Sequence, residues 1–391
     1  MKKILILGAG VYQLPLIKRA KKRGYYVIVA SKDGQYPGFL YADKVYYIDT
    51  TDIEGIYKIA KEEQIDAITT LGTDVAVRTL GVVNERMGLS GILQKSATLS
   101  TDKKLMKETF LKNNIKTAPF KTVFSLQEAY KAYDLLNKPL AIKPVDNSGS
   151  RGITKVSKKE DLEKAYHHAF TNSKKEYVIV EEYIEGRKLS VEAAVIDKRL
   201  VFFLPNGNIL YQGKIDIPIG HFVPAAISRS TVSKIEAELL KLIDALEIDN
   251  SALNVDLVLH DEEVYVVEAG ARAGGTNLAD LVSTAYDVNY YDFILNLALG
   301  EAKPFANEIS SNCAVEVMVS ESNGYLKRCS LETDDRRVVS FACDYKIDEY
   351  VKKFETGADR IGHIVIKCGL AEDPIAVLDE IKKDISVEVY Q

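Results

Sequence analysis

A chain of 391 residues, 47% hydrophobic and 27% charged, is long enough for several packed units around real cores. Its formal charge of −5 is mild, and no long run of Lys and Arg offers a nucleic-acid footprint. No apolar run approaches the ~20 residues that span a bilayer, so the expected partners are small molecules, with no nucleic acid and no membrane. MKKILILGAGV opens like a leader, but its apolar run is short, Gly8 and Gly10 interrupt it, and Gln13 and Lys18-Arg19 follow at once. The cytoplasm is the expected compartment. Cys313, Cys329, Cys343 and Cys368 lack zinc-knuckle or CxxC spacing, and the histidines form no HxxH or HExxH pattern. They read as core or surface residues in a reducing compartment.

KILIL (3–7) is a buried-strand run ending in a Gly8-Ala9-Gly10 turn, followed by an amphipathic helix through Arg23 and a second apolar run at 26–30. Strand, glycine turn, helix and strand open a doubly wound α/β layer. Further strands are expected at 45–48 and 67–72, with a helix at 52–64 between them. Ligands in such layers bind beyond the carboxyl ends of the strands, which makes 8–10, 31–33 and 72–74 candidate site loops. GAG also resembles the start of a dinucleotide fingerprint. Gln13, however, stands at the third glycine, and the second strand ends in Ser31 rather than an acidic ribose ligand.

TDKKLMKETFLKN (101–113) has an N-cap and a helical period. A second α/β unit begins near Lys121, with a helix at 126–137 and strands at 139–143, 153–156 and 177–182. A third block, 187–305, alternates strands with a helix at 231–247, and the tail ends in a helix over 373–385.

Three stretches carry chemistry. In AIKPVDNSGSRGI (141–153), Lys143 ends a strand and precedes a glycine loop whose backbone N–H groups suit phosphate oxygens. The same pattern fits a surface hairpin with a solvated lysine. VIVEEYIEG (178–186) turns polar at Glu181-Glu182: either a carboxylate accepts an adenine amino group while Tyr183 and Ile184 sandwich the base, or the strand simply ends in a charged turn. NVDLVLHDEEVYVVEAGARAGG (254–275) is a hairpin in which Asp256 and Glu268 lie side by side, a pair suited to Mg²⁺. Arg272 follows in a glycine-bordered loop, where its planar fork meets phosphate oxygens.

In this order the motifs resemble those of the ATP-grasp superfamily, which includes biotin carboxylase, the carbamoyl-phosphate synthetase large subunit and phosphoribosylglycinamide synthetase. The resemblance covers nearly the whole chain. It implies mixed α/β and α+β architecture: a doubly wound α/β domain preceding the ATP-grasp fold (1–95), a helical connection (96–120), a lid subdomain (121–186), a metal- and substrate-binding subdomain (187–305) and a small C-terminal α+β domain (306–391). It implies ATP and Mg²⁺, with Mn²⁺ a substitute. Lys103 and Lys143 become phosphate ligands, Ser148, Gly149, Ser150 and Gly152 the covering loop, and Glu181, Glu182, Tyr183 and Ile184 the adenine contacts. Asp256 and Glu268 become metal ligands, with Arg272 steadying an acyl phosphate.

Two positions depart from the family. Lys188 in GRKLSVE stands near the usual ribose-binding glutamate, and the metal motif Glu-x-Asn reads Glu268-Ala269-Gly270. Loss of the asparagine removes one metal oxygen, which water or Asn277 would replace. The EAGARAGG form is similar to ligases that join carboxylates to amines, including amino-acid ligases. The implied reaction is transfer of the γ-phosphoryl of ATP to a substrate carboxylate, then attack by an amine. Gly10, Gly72, His221, Gly274 and Asn277 are the remaining substrate candidates, His221 either as a cation that orients a carboxylate or as a loop histidine with no ligand. A homodimer, a nucleotide-binding regulator without turnover, a carboxylase acting on bicarbonate and an NAD enzyme using the first domain are the other expectations.

Overall fold

The computed structural model describes residues 1–146, 152–211, 217–305, 308–357 and 359–391. The predicted loop residues Ser148, Gly149 and Ser150 lie outside these described residues.

The first unit is a parallel sheet of Lys3–Leu7, Tyr26–Ser31, Lys44–Tyr47 and Ala67–Thr69, with Lys3–Leu7 central between Tyr26–Ser31 and Ala67–Thr69. Apart from the edge strand Lys44–Tyr47, its runs are apolar and buried on both faces, as parallel sheets covered by helices require. The glycine turn after Lys3–Leu7 is filled from within. Gln13 Oε1 accepts from the Gly10 N–H at 3.0 Å, and a Cβ on Gly8 would lie 2.9 Å from the same oxygen. The residue that breaks the dinucleotide fingerprint therefore plugs the space where a pyrophosphate would sit.

Helix Lys103–Lys112 follows, capped by Asp102, whose carboxylate accepts from Lys104 N–H and Leu105 N–H at 3.1 and 3.2 Å. It leads into an antiparallel sheet ordered Phe120–Val123, Val178–Glu182, Leu140–Pro144, Thr154–Val156. Helices Leu126–Leu135 and Leu162–Thr171 back this sheet and give it a core of its own, with Leu140, Ile142, Val180, Leu162 and Tyr166. That separate core sets the unit apart from the rest of the chain.

An eight-stranded sheet forms the floor, ordered Glu263–Gly270, Ser251–His260, Arg187–Ile196, Arg199–Tyr211, Ile217–Val223, Asn312–Val319, Arg360–Cys368, Val338–Cys343. It crosses the boundary expected at 305/306, because three strands beyond that point extend it. Its apolar face shares one core with the first unit, running from Leu5 and Ile28 through Phe110 to Val191, Leu253 and Val266. At about 1.5–3 kcal/mol per fully buried large side chain, this shared core ties the first unit to the floor. The expected helix over 373–385 is shorter, Pro374–Ile381, and residues 385–390 form a strand against Gly324–Leu331. The alternation in ISVEVY puts Ile385, Val387 and Val389 on one apolar face, and that period of two wins over helical continuation.

Candidate active site

Residues 183–186 join the lid sheet to the floor. A Cβ on Gly186 would lie 2.4 Å from the Leu259 carbonyl oxygen, so only glycine permits the approach. Beside this junction is an open cleft of about 400 Å³ lined by Tyr183, Gly186, Lys188, Asn208 and Phe222 among others. Lys155 caps the Tyr183 ring from 4.3 Å.

At the inner end of the lid, three charged side chains are buried together. Lys143 Nζ lies 2.6 Å from Glu181 Oε1, and Lys107 Nζ lies 2.7 Å from Glu181 Oε2. The second contact is an ion pair outside hydrogen-bond alignment, and Lys107 Nζ donates instead to Thr117 Oγ1 at 2.8 Å. Lys107 is 1% exposed, Lys143 3% and Glu181 6%. Burial alone would raise the Glu181 carboxyl, but the two ammonium groups overcome it and hold it at about 2. Burial depresses Lys107 to about 8 against the pull of Glu181.

This shifts the expectation for Glu181, whose carboxylate serves as counter-ion to two buried lysines. Glu182 is turned away: its Oε1 accepts from the backbone and side-chain amides of Asn137, both at 3.0 Å. Gly152 adopts φ +79° in the lid, where a Cβ would meet Asn172 Cβ at 2.7 Å.

Opposite the lid, Asp256 and Glu268 are direct partners across the hairpin Ser251–His260/Glu263–Gly270. Asp261 and Glu262 make its two-residue turn with φ 46° and 62°. Lys103 Nζ reaches Glu268 Oε1 at 2.6 Å. Asp256 is exposed at its surface, yet the protein atoms crowded around it, with the charge of Glu268, raise its carboxyl to about 6. Two adjacent hard oxygen donors whose mutual repulsion a cation would relieve fit Mg²⁺, and Mn²⁺ equally. Among the described residues no cluster of three or more His, Cys, Asp or Glu side chains offers a complete cage, so remaining ligands would come from phosphates and water.

Behind Asp256 runs a polar row. Ser190 Oγ is 3.1 Å from Asp256 Oδ1 and 3.1 Å from Asn208 Oδ1, which is 3.0 Å from His221 Nδ1. His221 is 3% exposed and burial lowers it to about 3. It is a neutral side chain in the floor, and the expectation of a cation that orients a carboxylate is corrected.

Arg272 lies between the units. Its Nη2 donates to Asp74 Oδ2 at 2.8 Å and its Nη1 to Asn254 Oδ1 at 3.2 Å. Burial opposes its charge, but Asp74 more than offsets this and raises its pKa. Arg272 Nε and Asp74 Oδ1 have no hydrogen-bond partner among the described residues. The glycine that replaces the family asparagine has a steric reason: a Cβ on Gly270 would lie 2.8 Å from Asp74 Oδ1 and 3.2 Å from Arg272 Cζ. The other candidates are spent within the protein. Gly10 N–H binds Gln13, Gly72 N–H donates to Ala273 O at 3.1 Å, and Gly274 N–H donates to Glu192. Asn277 Oδ1 accepts from Arg360 Nη1 at 2.8 Å, which removes it as a replacement metal ligand.

Lys107 and Glu192 were missed in the sequence. Lys107 stands one turn after Lys103 on the same helix face, and that spacing is a readable signal. Glu192 interrupts the apolar run of Arg187–Ile196, the mark of a buried carboxyl.

Buried lysines on one side, paired carboxylates on the other and an arginine held by Asp74 make up the charged core of this site. Residues 101–276 match the ATP-grasp domain model, and the chain as a whole is similar to solved synthetases and ligases. It is similar to the structure of phosphoribosylglycinamide synthetase from Anaerococcus prevotii, at 29% identity over all of both chains with a TM-score of 0.83. The L-amino acid ligase of Bacillus licheniformis shares the fold at 18% identity, over all of this chain and 99% of that one, with a TM-score of 0.83. A formate-dependent phosphoribosylglycinamide formyltransferase of Prochlorococcus marinus is 26% identical over 354 residues, 87% of this chain and 88% of that protein. No helix among the described residues is long and apolar enough to cross a membrane.

Proposed function

We propose that the protein uses Mg²⁺-ATP to activate a small carboxylate as an acyl phosphate, which a small amine then captures as an amide. The observation that carries this reading is Lys103 on Glu268, the strand partner of Asp256, together with the buried Lys107–Glu181–Lys143 cluster and Arg272 held by Asp74. The similar proteins support the substrate class, because their names speak of formate, phosphoribosylglycinamide and amino acids.

Nucleotide would enter the cleft by Tyr183, with its phosphates toward Lys103 and Lys143. Asp256 and Glu268 would hold Mg²⁺, which supplies positive charge against the phosphate oxygens. Phosphoryl transfer asks mainly for positioning and spread of charge. A carboxylate oxygen attacks the γ-phosphorus, and the bond to the bridging oxygen of ADP breaks. Arg272, fixed by Asp74 and Asn254, steadies the acyl phosphate and then the departing phosphate. The amine nitrogen attacks the acyl carbon, phosphate leaves, and the amine gives up a proton. Closure of the lid keeps water from the acyl phosphate.

The test is release of ADP and phosphate against a matrix of amino acids, small carboxylates, bicarbonate and phosphoribosylamine, with Lys143→Ala and Glu268→Ala as controls. Turnover that needs one acid and one amine and is lost in both variants supports the reading. Tight Mg²⁺-ATP binding without substrate-dependent release across the matrix counts against it.

A further inference from the structure

Glu192 has no part in the reaction as drawn, yet it is the carboxyl most completely enclosed near the site. It sits on Arg187–Ile196, in register with Asn254 on one side and Leu204 on the other, and is 0% exposed. Both of its oxygens receive the Gly274 N–H, at 3.2 and 3.1 Å, and Oε1 is 3.2 Å from the Tyr290 hydroxyl. Tyr290 is itself fully buried. A carboxyl this deep costs several kcal/mol unless it is neutral or fully paired.

Gly274 belongs to the loop that carries Arg272. The loop is pinned on its other side by Gly72 N–H to Ala273 O. The space at Gly274 is closed: a Cβ there would lie 2.3 Å from Leu278 Cδ1 and 3.0 Å from Glu192 Oε2. Asn254, the cross-strand partner of Glu192, gives its Oδ1 to Arg272 Nη1. Glu192 thus stands under the loop, touching its backbone, while its neighbour on the next strand holds the guanidinium.

We infer that Glu192 is a positioning residue for Arg272, acting by hydrogen bonds to the Gly274 amide and the Tyr290 hydroxyl rather than by negative charge. Burial raises its carboxyl to about 8 against the attraction of Arg272, so at neutral pH it presents one O–H and one acceptor oxygen. In that form it sets the height of the loop without cancelling the charge Arg272 needs for an anion. The inference rests on the ligase reading only in taking Arg272 as the group that holds phosphate.

Three proteins decide it: wild type, Glu192→Gln and Glu192→Ala. Glutamine has the shape of a protonated glutamate, with one acceptor and a donor in place. Two readouts need no turnover: hydrogen exchange of the peptide spanning 270–277, and calorimetric affinity for inorganic phosphate in the presence of saturating Mg²⁺-ADP. Glu192→Gln is expected to keep wild-type protection and phosphate affinity. Glu192→Ala is expected to exchange faster in that peptide and lose phosphate affinity by about tenfold, the scale of one or two hydrogen bonds, with Mg²⁺-ADP affinity within about twofold. If Glu192→Ala fails to fold, Glu192→Asp, which withdraws the carboxyl by one methylene, takes its place with the same expectation.

A glutamine variant as impaired as the alanine one overturns the inference, because charge would then be required. So does an alanine or aspartate variant unchanged in both readouts, or one that loses phosphate and ADP affinity equally, the signature of general loosening. Wild type that binds Mg²⁺-ADP and phosphate but turns over nothing in the substrate matrix sinks the ligase reading and leaves the role of Glu192 decided by exchange and affinity.

Discussion

Replacing Glu181 with glutamine would leave two lysines, 1% and 3% exposed, without the carboxylate between them. The size of the effect follows from the site itself. Lowering of the Glu181 carboxyl from 4.5 to about 2 corresponds to about 3 kcal/mol in favour of its ionised form. Removing one partner of a buried ion pair costs about 3–5 kcal/mol by general experience, so the two routes agree. At about 2–4 °C per kcal/mol for a unit of 150–250 residues, Glu181→Gln should melt about 6–12 °C below wild type at pH 7.

The pH dependence has a definite sign. Glu181 binds fewer protons folded than unfolded between 4.5 and about 2, so its contribution is complete above 4.5 and is lost as pH falls toward 2. Lys107 also binds fewer protons folded than unfolded, between about 8 and 10.5, so the cost of its buried charge is relieved as pH rises through that range. In Glu181→Gln the lysines lose their partner, and raising the pH lets Lys107 discharge. The deficit against wild type should therefore shrink from pH 7 to pH 9, and Mg²⁺-ATP should raise the melting temperature of the variant more than that of wild type. The assay is thermal melting followed by circular dichroism. A deficit below about 1 kcal/mol at pH 7, or one unchanged at pH 9, would refute the reasoning.

Lys103→Ala frees Glu268 from its 2.6 Å partner; it should weaken ATP binding while tightening Mn²⁺ binding in the absence of nucleotide by about tenfold, read by electron paramagnetic resonance. Gly270→Asn, which restores the family asparagine, should lower kcat rather than add a metal ligand, because its Cβ falls 2.8 Å from Asp74 Oδ1 and 3.2 Å from Arg272 Cζ; steady-state turnover against wild type checks it. Asp256 must lose its proton to hold a cation and is raised to about 6, so Mn²⁺ affinity should be flat above pH 7 and fall up to about tenfold per pH unit well below 6.

Motif order made much of this site legible. The hairpin, its paired Asp256 and Glu268, the strand that carries Lys143 and the loop that carries Arg272 all stand where the spacing of apolar runs and glycines put them. What stayed hidden depends on register between distant strands. Ala141 pairs with Glu181, and Lys143 with Ile179; Lys143 and Glu181 are thus diagonal neighbours on one face. Nothing in either segment alone shows that diagonal, and so Glu181 reads as a nucleotide contact when it is a counter-ion. His221 misleads for a similar reason. Its strand looks like a loop among glycine and proline, yet Ile217–Val223 pairs on both sides within the floor, and burial removes the charge.

The ionic arrangement also separates pairs that can exchange partners from one that cannot. Glu181 is held between two lysines at 6% exposure, and moving it would strand its charge in the lid core. Lys107, Lys143 and Glu181 therefore stay together as a cluster of net charge +1 when Lys107 is protonated. Glu268 keeps 27% of its side chain exposed beside Lys103, whose own side chain is 7% exposed, so this contact opens only where another anion meets Lys103 and a cation meets Glu268. Phosphate on Lys103 and a cation on Glu268 then each remove the partner that the other must displace. On the proposed ligase reading, nucleotide and metal should each bind more tightly in the presence of the other by the same factor.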